Sequence, residues 1–171
     1  FELAKGFRLV GSSEGVKPKV ILDDWWRIAE GSYITALEFE NIEFSHTSNN
    51  KYFMNADKSF TIESVSFVNC DFIGLTRGFW RHQQATSKHI MSFAVEGCRF
   101  DKCGWQTGSY GLMDLRSFND PTAYDQVDKA VFRNCTFSRD NDGTTGFGWG
   151  NLFNAPYIDK PIQLEFKNIT V

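Results

Sequence analysis

The sequence predicts an all-β solenoid: about five coils of short strands stacked on one another, an asparagine ladder at one corner, and a single domain over residues 1–171. Three observations carry the prediction. The segments LEFENIEF (37–44), VSFVNCDF (65–72), FAVEGCRF (93–100), AVFRNCTF (130–137) and LEFKNITV (164–171) align without a gap. Each is apolar at alternate positions, as a strand with one buried face requires. The alternation slips by one residue at Asn41, Asn69, Gly97, Asn134 and Asn168, which recur at steps of 28, 28, 37 and 34 residues.

The first strand of each unit places Leu37, Val65, Phe93, Ala130 and Leu164 in one inward column, and Phe39, Phe67, Val95, Phe132 and Phe166 in the next. A phase slip between two strands means a corner. Asn and Gly enter the left-handed backbone region most readily, so one such residue turns the chain sharply from one strand into another. The second strand then carries Ile42, Cys70, Cys98, Cys135 and Ile169 in a third inward column, and Phe44, Phe72, Phe100, Phe137 and Val171 in a fourth.

A third strand per coil is expected between the units, at KVILDD (19–24), YFMNA (52–56), GFWRH (78–82), GLMDLRS (111–117) and NLFNA (151–155). With Leu22, Met54, Trp80, Met113 and Phe153 inward, alternation sends Ile21, Phe53, Phe79, Leu112 and Leu152 outward together with Asp23, Asn55, Arg81, Asp114 and Asn154. The loops flanking this strand are unequal. DKCGWQTGSY (101–110) and SRDNDGTTGFGWG (138–150) are long and carry Trp105, Tyr110, Phe147 and Trp149, so the two loop families are expected to wall a groove along the outer face.

Composition excludes several classes. The 171 residues include 17 Phe, 5 Trp and 5 Tyr, too many rings for a disordered chain. Lys and Arg number 18 against 21 Asp and Glu, so no concentrated positive surface is expected and nucleic acid is not an expected partner. No apolar run approaches the roughly 18 to 20 residues that cross a bilayer, and no signal-peptide pattern opens the chain. The reading is of a mature or excised piece of a longer protein. Cys70, Cys98 and Cys135 share an inward column, where a thiol acts as a small hydrophobe rather than a zinc ligand. His46, His82 and His89 show no metal-ligand spacing and are expected in solvent.

The strand, asparagine corner and strand pattern over roughly residues 7–171 resembles the right-handed, single-stranded parallel β-helix of the pectate-lyase superfamily, whose second corner carries such a ladder. The opening GFRLVGSSEGVKPKVIL and the central TRGFWRH resemble uncharacterised β-helix domains of secreted glycan-foraging proteins from Gram-negative gut bacteria. The resemblance implies a polysaccharide ligand on the third-strand face and a secreted, periplasmic or cell-surface location.

Two functions follow. The first is a binding or accessory module, with Asn55, Arg77, Arg81, Asp114, Arg116 and Asn154 bonding hydroxyls or carboxylates and Trp105, Tyr110 and Trp149 covering sugar rings. The second is a lyase cleaving a uronic-acid polymer by β-elimination, with Arg81, Arg116 and His82 as candidates for the base and for neutralising the carboxylate. No cofactor is expected. The related families often hold calcium with clustered carboxylates, but Asp23 and Asp114, three coils apart, would lie about 14 Å from each other at about 4.8 Å per coil. Asp140-Asn141-Asp142-Gly143 lacks the closing Glu of a calcium loop and reads as a turn. The binding reading is favoured because no complete catalytic set assembles. The chain stops in mid-coil at Val171, so end-to-end self-association or a further C-terminal domain is expected to cover that end.

Overall fold

A computed structural model describes residues 1–47, 52–84, 86–104, 112–115, 125–138, 153–154 and 161–171. Among them the protein is all-β, with parallel strands gathered in sheets and no helix. The first sheet holds six strands, Phe7–Val10, Ser32–Glu40, Phe60–Val68, Lys88–Glu96, Asp125–Arg133 and Gln163–Lys167. Its second and third companions are Lys19–Leu22, Glu43–His46, Asp71–Ile73, Arg99–Asp101 and Thr136–Ser138, then Tyr52–Ala56, Gly78–His82, Met113–Asp114 and Phe153–Asn154. Each strand pairs with its counterpart in the preceding and following repeat, so equivalent residues sit side by side: Leu37 opposite Val65, Val65 opposite Phe93, Phe93 opposite Ala130 and Ala130 opposite Leu164.

The corners have the backbone that the phase slip demands. Asn41, Asn69, Asn134 and Asn168 have φ of 56°, 50°, 54° and 53°, and Gly97 has 63°. The parallel ladder continues through them. Asn69 N–H donates to Glu96 O at 2.8 Å before the corner, and Arg99 N–H donates to Cys70 O at 2.9 Å just after it. The amides bond one another as well, Asn69 Nδ2 to Asn41 Oδ1 at 2.7 Å and Asn168 Nδ2 to Asn134 Oδ1 at 2.9 Å. Gly97 separates these two pairs. Gly11 occupies the equivalent place beside Asn41, and a Cβ there would lie 2.1 Å from Asn41 O, which leaves room only for hydrogen.

In-register stacking places like rings on like rings. Phe39 lies on Phe67 with centroids 4.8 Å apart, and Phe44, Phe72, Phe100 and Phe137 form a continuous pile with spacings of 5.5, 4.9 and 5.0 Å. The Phe67 pile is interrupted by Val95, and the same repeat restores the volume with Phe93, flanked by the smaller Val65 and Ala130. Trp80 packs edge-on against Phe93 at 5.1 Å. Such exchange keeps total core volume while altering shape.

Two expectations for the third strand are corrected. Phe53, Phe79 and Leu112 do not face outward: Phe53 is 5.0 Å from Phe44, Phe79 is 4.5 Å from Phe72, and all three are buried. Strict alternation fails where the chain bends into this sheet. Phe79 N–H and Trp80 N–H both donate to Leu112 O, at 2.8 and 3.2 Å, so two successive rings enter the core. Lys19–Leu22 belongs to the second sheet, pairing with Glu43–His46. Residues 12–18 intervene between Gly11 and this strand, whereas later repeats place one residue between corner and second strand. Trp26 takes the third-sheet place in that repeat, bridging Met54, with its ring 5.2 Å from Phe53.

Replacing Asn69 with Leu forces a branched side chain into the left-handed region and removes an amide pair, so the variant should lose about 1 to 3 kcal/mol in urea unfolding. Cys98→Ala should lose less, because only a small cavity follows. Parent and Asn69→Leu curves with the same midpoint would defeat the corner assignment.

Candidate functional site

The third sheet aligns Asn55, Arg81, Asp114 and Asn154 across neighbouring strands. The Arg81 guanidinium lies over the Tyr52 ring at 5.4 Å, and its Nε is 3.7 Å from Asp114 Oδ2. Asp114 is fully buried and Asn55 is 3% exposed, while Arg81 keeps 14% of its side-chain exposure. Among the three members whose side chains are described, Arg81 is therefore the one that meets solvent, and Asn55 and Asp114, expected to point outward, are buried instead. The position of Arg81 is held from one side by a carboxylate and from another by a ring face. The Asn55 Oδ1 atom is buried and makes no hydrogen bond among the described residues. Arg77, half-buried, stands just before the third strand of the same repeat. Arg116, Trp105, Tyr110 and Trp149, the Asp140–Gly143 turn and the side chain of Asn154 lie outside the described residues.

His82 is a correction. It is not solvated but wholly buried, with Nδ1 2.6 Å from Asp125 Oδ1 and its ring edge-on to Phe60 at 5.7 Å. An ionised carboxylate only accepts, so with Asp125 charged the Nδ1 atom carries the proton. Alternation from the outward Arg81 is the signal that could have found this: one residue further along a strand points to the opposite face. Lys88, also wholly buried, stands in register between Phe60 and Asp125. Its Nζ donates to Gln84 O and Thr86 O, both at 2.9 Å. Burial pulls its ammonium below the usual lysine range, and Asp125, Asp57 and Glu30 oppose that pull. His82, Asp125 and Lys88 together tie the turn joining the third sheet to the first.

The four cysteines are free and buried. Cys98 Sγ lies 3.3 Å from Cys70 N–H, and burial drives the Cys98 thiol well above its ordinary range. Cys103 is pushed up to about 12 by burial. Burial likewise raises Cys135, whereas the hydrogen bond with Cys98 lowers Cys70; the three raised thiols, held neutral and dry, are poor nucleophiles and poor metal ligands. Among the described residues no group of three or more His, Cys, Asp or Glu side chains is placed to hold a metal ion. Nor is any helix there long and apolar enough to cross a membrane.

His82→Leu should cost about 3 to 5 kcal/mol, because Asp125 is left as a buried carboxylate without its partner. The double variant with Asp125→Leu should recover part of that loss in a thermodynamic cycle; additive losses would show that the two do not interact. The Cys103 thiol titrates from 9.0 in the unfolded chain and about 12 in the folded one. Below 9.0 both states are protonated and stability is unaffected; above it the unfolded state loses its proton first, so stability falls as pH rises. Relative to Cys103→Ala, the parent should lose about 1.4 kcal/mol per pH unit in that window, measured by urea unfolding. A pH-independent difference would refute the assignment.

No protein-family model, curated protein or solved structure matches the chain.

Proposed function

We propose that the chain is a right-handed, single-stranded parallel β-helix of about five coils, similar to the pectate-lyase superfamily, and that it binds polysaccharide as an accessory module of a secreted or cell-surface glycan-utilisation protein. The observation that carries the binding reading is the in-register row of Asn55, Arg81 and Asp114, with a buried Asn55 carbonyl oxygen that has no donor among the described residues beside the partly exposed Arg81. Buried polar atoms are normally satisfied, so such an acceptor next to a fixed cation suits a ligand that brings both a hydroxyl and a carboxylate. Trp105, Tyr110 and Trp149 are the rings proposed to stack on the sugar, with Arg77, Arg116 and Asn154 extending the polar row.

Binding without turnover is favoured over elimination. A lyase needs a base within reach of the carbon-bound proton. His82 follows Arg81 but is sealed against Phe60 and Asp125, away from any polymer lying on the row. Asp114 is held close to Arg81, and no second carboxylate faces it among the described members of the row; hydrolysis would require a pair about 5 to 9.5 Å apart.

Calorimetric titration with polygalacturonate should give a dissociation constant in the range of about 1 μM to 1 mM, weakening as salt rises. Arg81→Ala should weaken it about tenfold, the loss of one charge-assisted contact. Ultraviolet absorbance of the mixture should stay flat. Sustained growth of that absorbance, abolished in Arg81→Ala, would replace binding with elimination, and absence of any binding would remove the third-sheet reading.

A further inference from the structure

A concavity that includes none of the third-sheet row lies where the strands of the first sheet begin. It is a cleft of about 360 Å³, near the lower end of the range for ligand sites, and its lining includes Tyr33, Ser59, Thr61, Lys88 and His89. Tyr33, Thr61 and His89 stand in register on three adjacent strands, starting one residue after the inward Ser32, Phe60 and Lys88. Tyr33 is 60% exposed, yet its hydroxyl is fixed by donating to Glu63 Oε1 at 2.6 Å. On the far side of Thr61, His89 Nε2 lies 2.9 Å from Asp128 Oδ2.

We infer that this cleft is a binding subsite for a neutral saccharide, with the exposed Tyr33 ring as stacking platform and Thr61 and His89 as the polar floor. A tyrosine whose hydroxyl is already tethered presents its face with few rotamers left to lose, so stacking costs little ordering. The surrounding charges select against an anion. Glu63 bonds the Tyr33 end of the row and Asp128 the His89 end, Glu30 accepts from Ser59 N–H at 3.2 Å, and Lys88, the one lysine among the described lining residues, directs its Nζ to Gln84 O and Thr86 O. A cation is not called for either, because Glu63 and Asp128 already have Tyr33 and His89 as partners. What remains is an uncharged ligand with an apolar ring face and hydroxyls that both donate and accept. The inference shares with the preceding function only the saccharide class of ligand and uses none of the third-sheet residues.

The test is a titration of the whole chain with cellohexaose, xylohexaose and mannohexaose, followed by calorimetry and by the ring-proton resonances of His89. At least one of the three should bind, with a dissociation constant of about 10 μM to 1 mM that changes less than twofold or so between about 50 and 500 mM salt. Tyr33→Ala should weaken it about tenfold or more, while Tyr33→Phe, which keeps the ring, should stay within about threefold of the parent. Arg81→Ala should leave it unchanged. Should Tyr33→Ala fail to fold, Thr61→Trp, which fills the cleft from an outward position, takes its place with the same expected loss. Absence of binding by all three hexaoses at about 10 mM, binding that leaves His89 unshifted, or equal binding by the parent and Tyr33→Ala would overturn the inference. Loss of polygalacturonate binding in Arg81→Ala with hexaose binding intact would separate the two sites, and either can fail without the other.

Discussion

Everything in this protein depends on parallel, in-register pairing between successive repeats carried through a single-residue corner. A strand that ends in the left-handed region at Asn41, Asn69 or Asn134 hands its neighbour a corner of the same shape. The backbone ladder runs up to each corner and resumes one residue past it in the second sheet, and at Cys70 the intervening N–H turns to Cys98 Sγ. Once the corner register is set, every inward column is set with it. Phe44, Phe72, Phe100 and Phe137 stack because they follow equivalent corners by the same number of residues, and their nearly parallel rings are a result of that count.

The other connection, from third sheet to first, is built differently. Between His82 and Lys88 the backbone enters the left-handed region at Gln84, with φ 69°, and a buried ammonium bonded to Gln84 O and Thr86 O, together with the His82–Asp125 contact, ties the flanking strands. Buried charge here adds to what backbone conformation does alone at the asparagine corner. The cost is desolvation, visible in the depressed Lys88 ammonium. The return is a defined end to the third strand, which keeps Arg81 on the outer row and His82 inside. Placement of the partly exposed cation of the candidate site thus rests on a buried cluster one residue away.

The corners and the four inward columns were legible in the sequence because each recurs in every unit, and a repeated departure from period two has few explanations. The third sheet was legible only in part. Its strands lay where expected from Tyr52 onward, but Phe79 and Trp80 both turn inward at a bend that alternation does not foresee, and the insertion at 12–18 displaced the assignment of Lys19–Leu22. Asn55, Arg81 and Asp114 do align across neighbouring strands, but Asn55 and Asp114 are buried where alternation sent them outward, and of the three Arg81 alone keeps solvent contact. The row of Tyr33, Thr61 and His89 was within reach: each lies eight residues before its corner residue Asn41, Asn69 or Gly97. Alignment limited to the four residues before the corner did not extend that far. Trp105, Tyr110, Arg116 and Trp149 carry no such periodic signal, because they lie in the stretches of sequence between units 93–100, 130–137 and 164–171, where the spacing lengthens from 28 to 37 and 34 residues.

The exchange of Phe93 for Val95 bears on how such a chain can change over generations. A unit such as 65–72 presents a medium residue and a phenylalanine to its neighbours, the same pair that 37–44 presents, so copying or deleting it would leave adjoining units facing similar shapes. The unit 93–100 is bound to its address. Its large ring, Phe93, fits between Val65 and Ala130 and against Trp80, and its small aliphatic side chain, Val95, between Phe67 and Phe132. Recombination that moved this unit would set phenylalanine against the wrong neighbours on one side and open a void on the other. Growth or shrinkage of the array by whole-unit duplication is open at the early repeats and closed at the middle one.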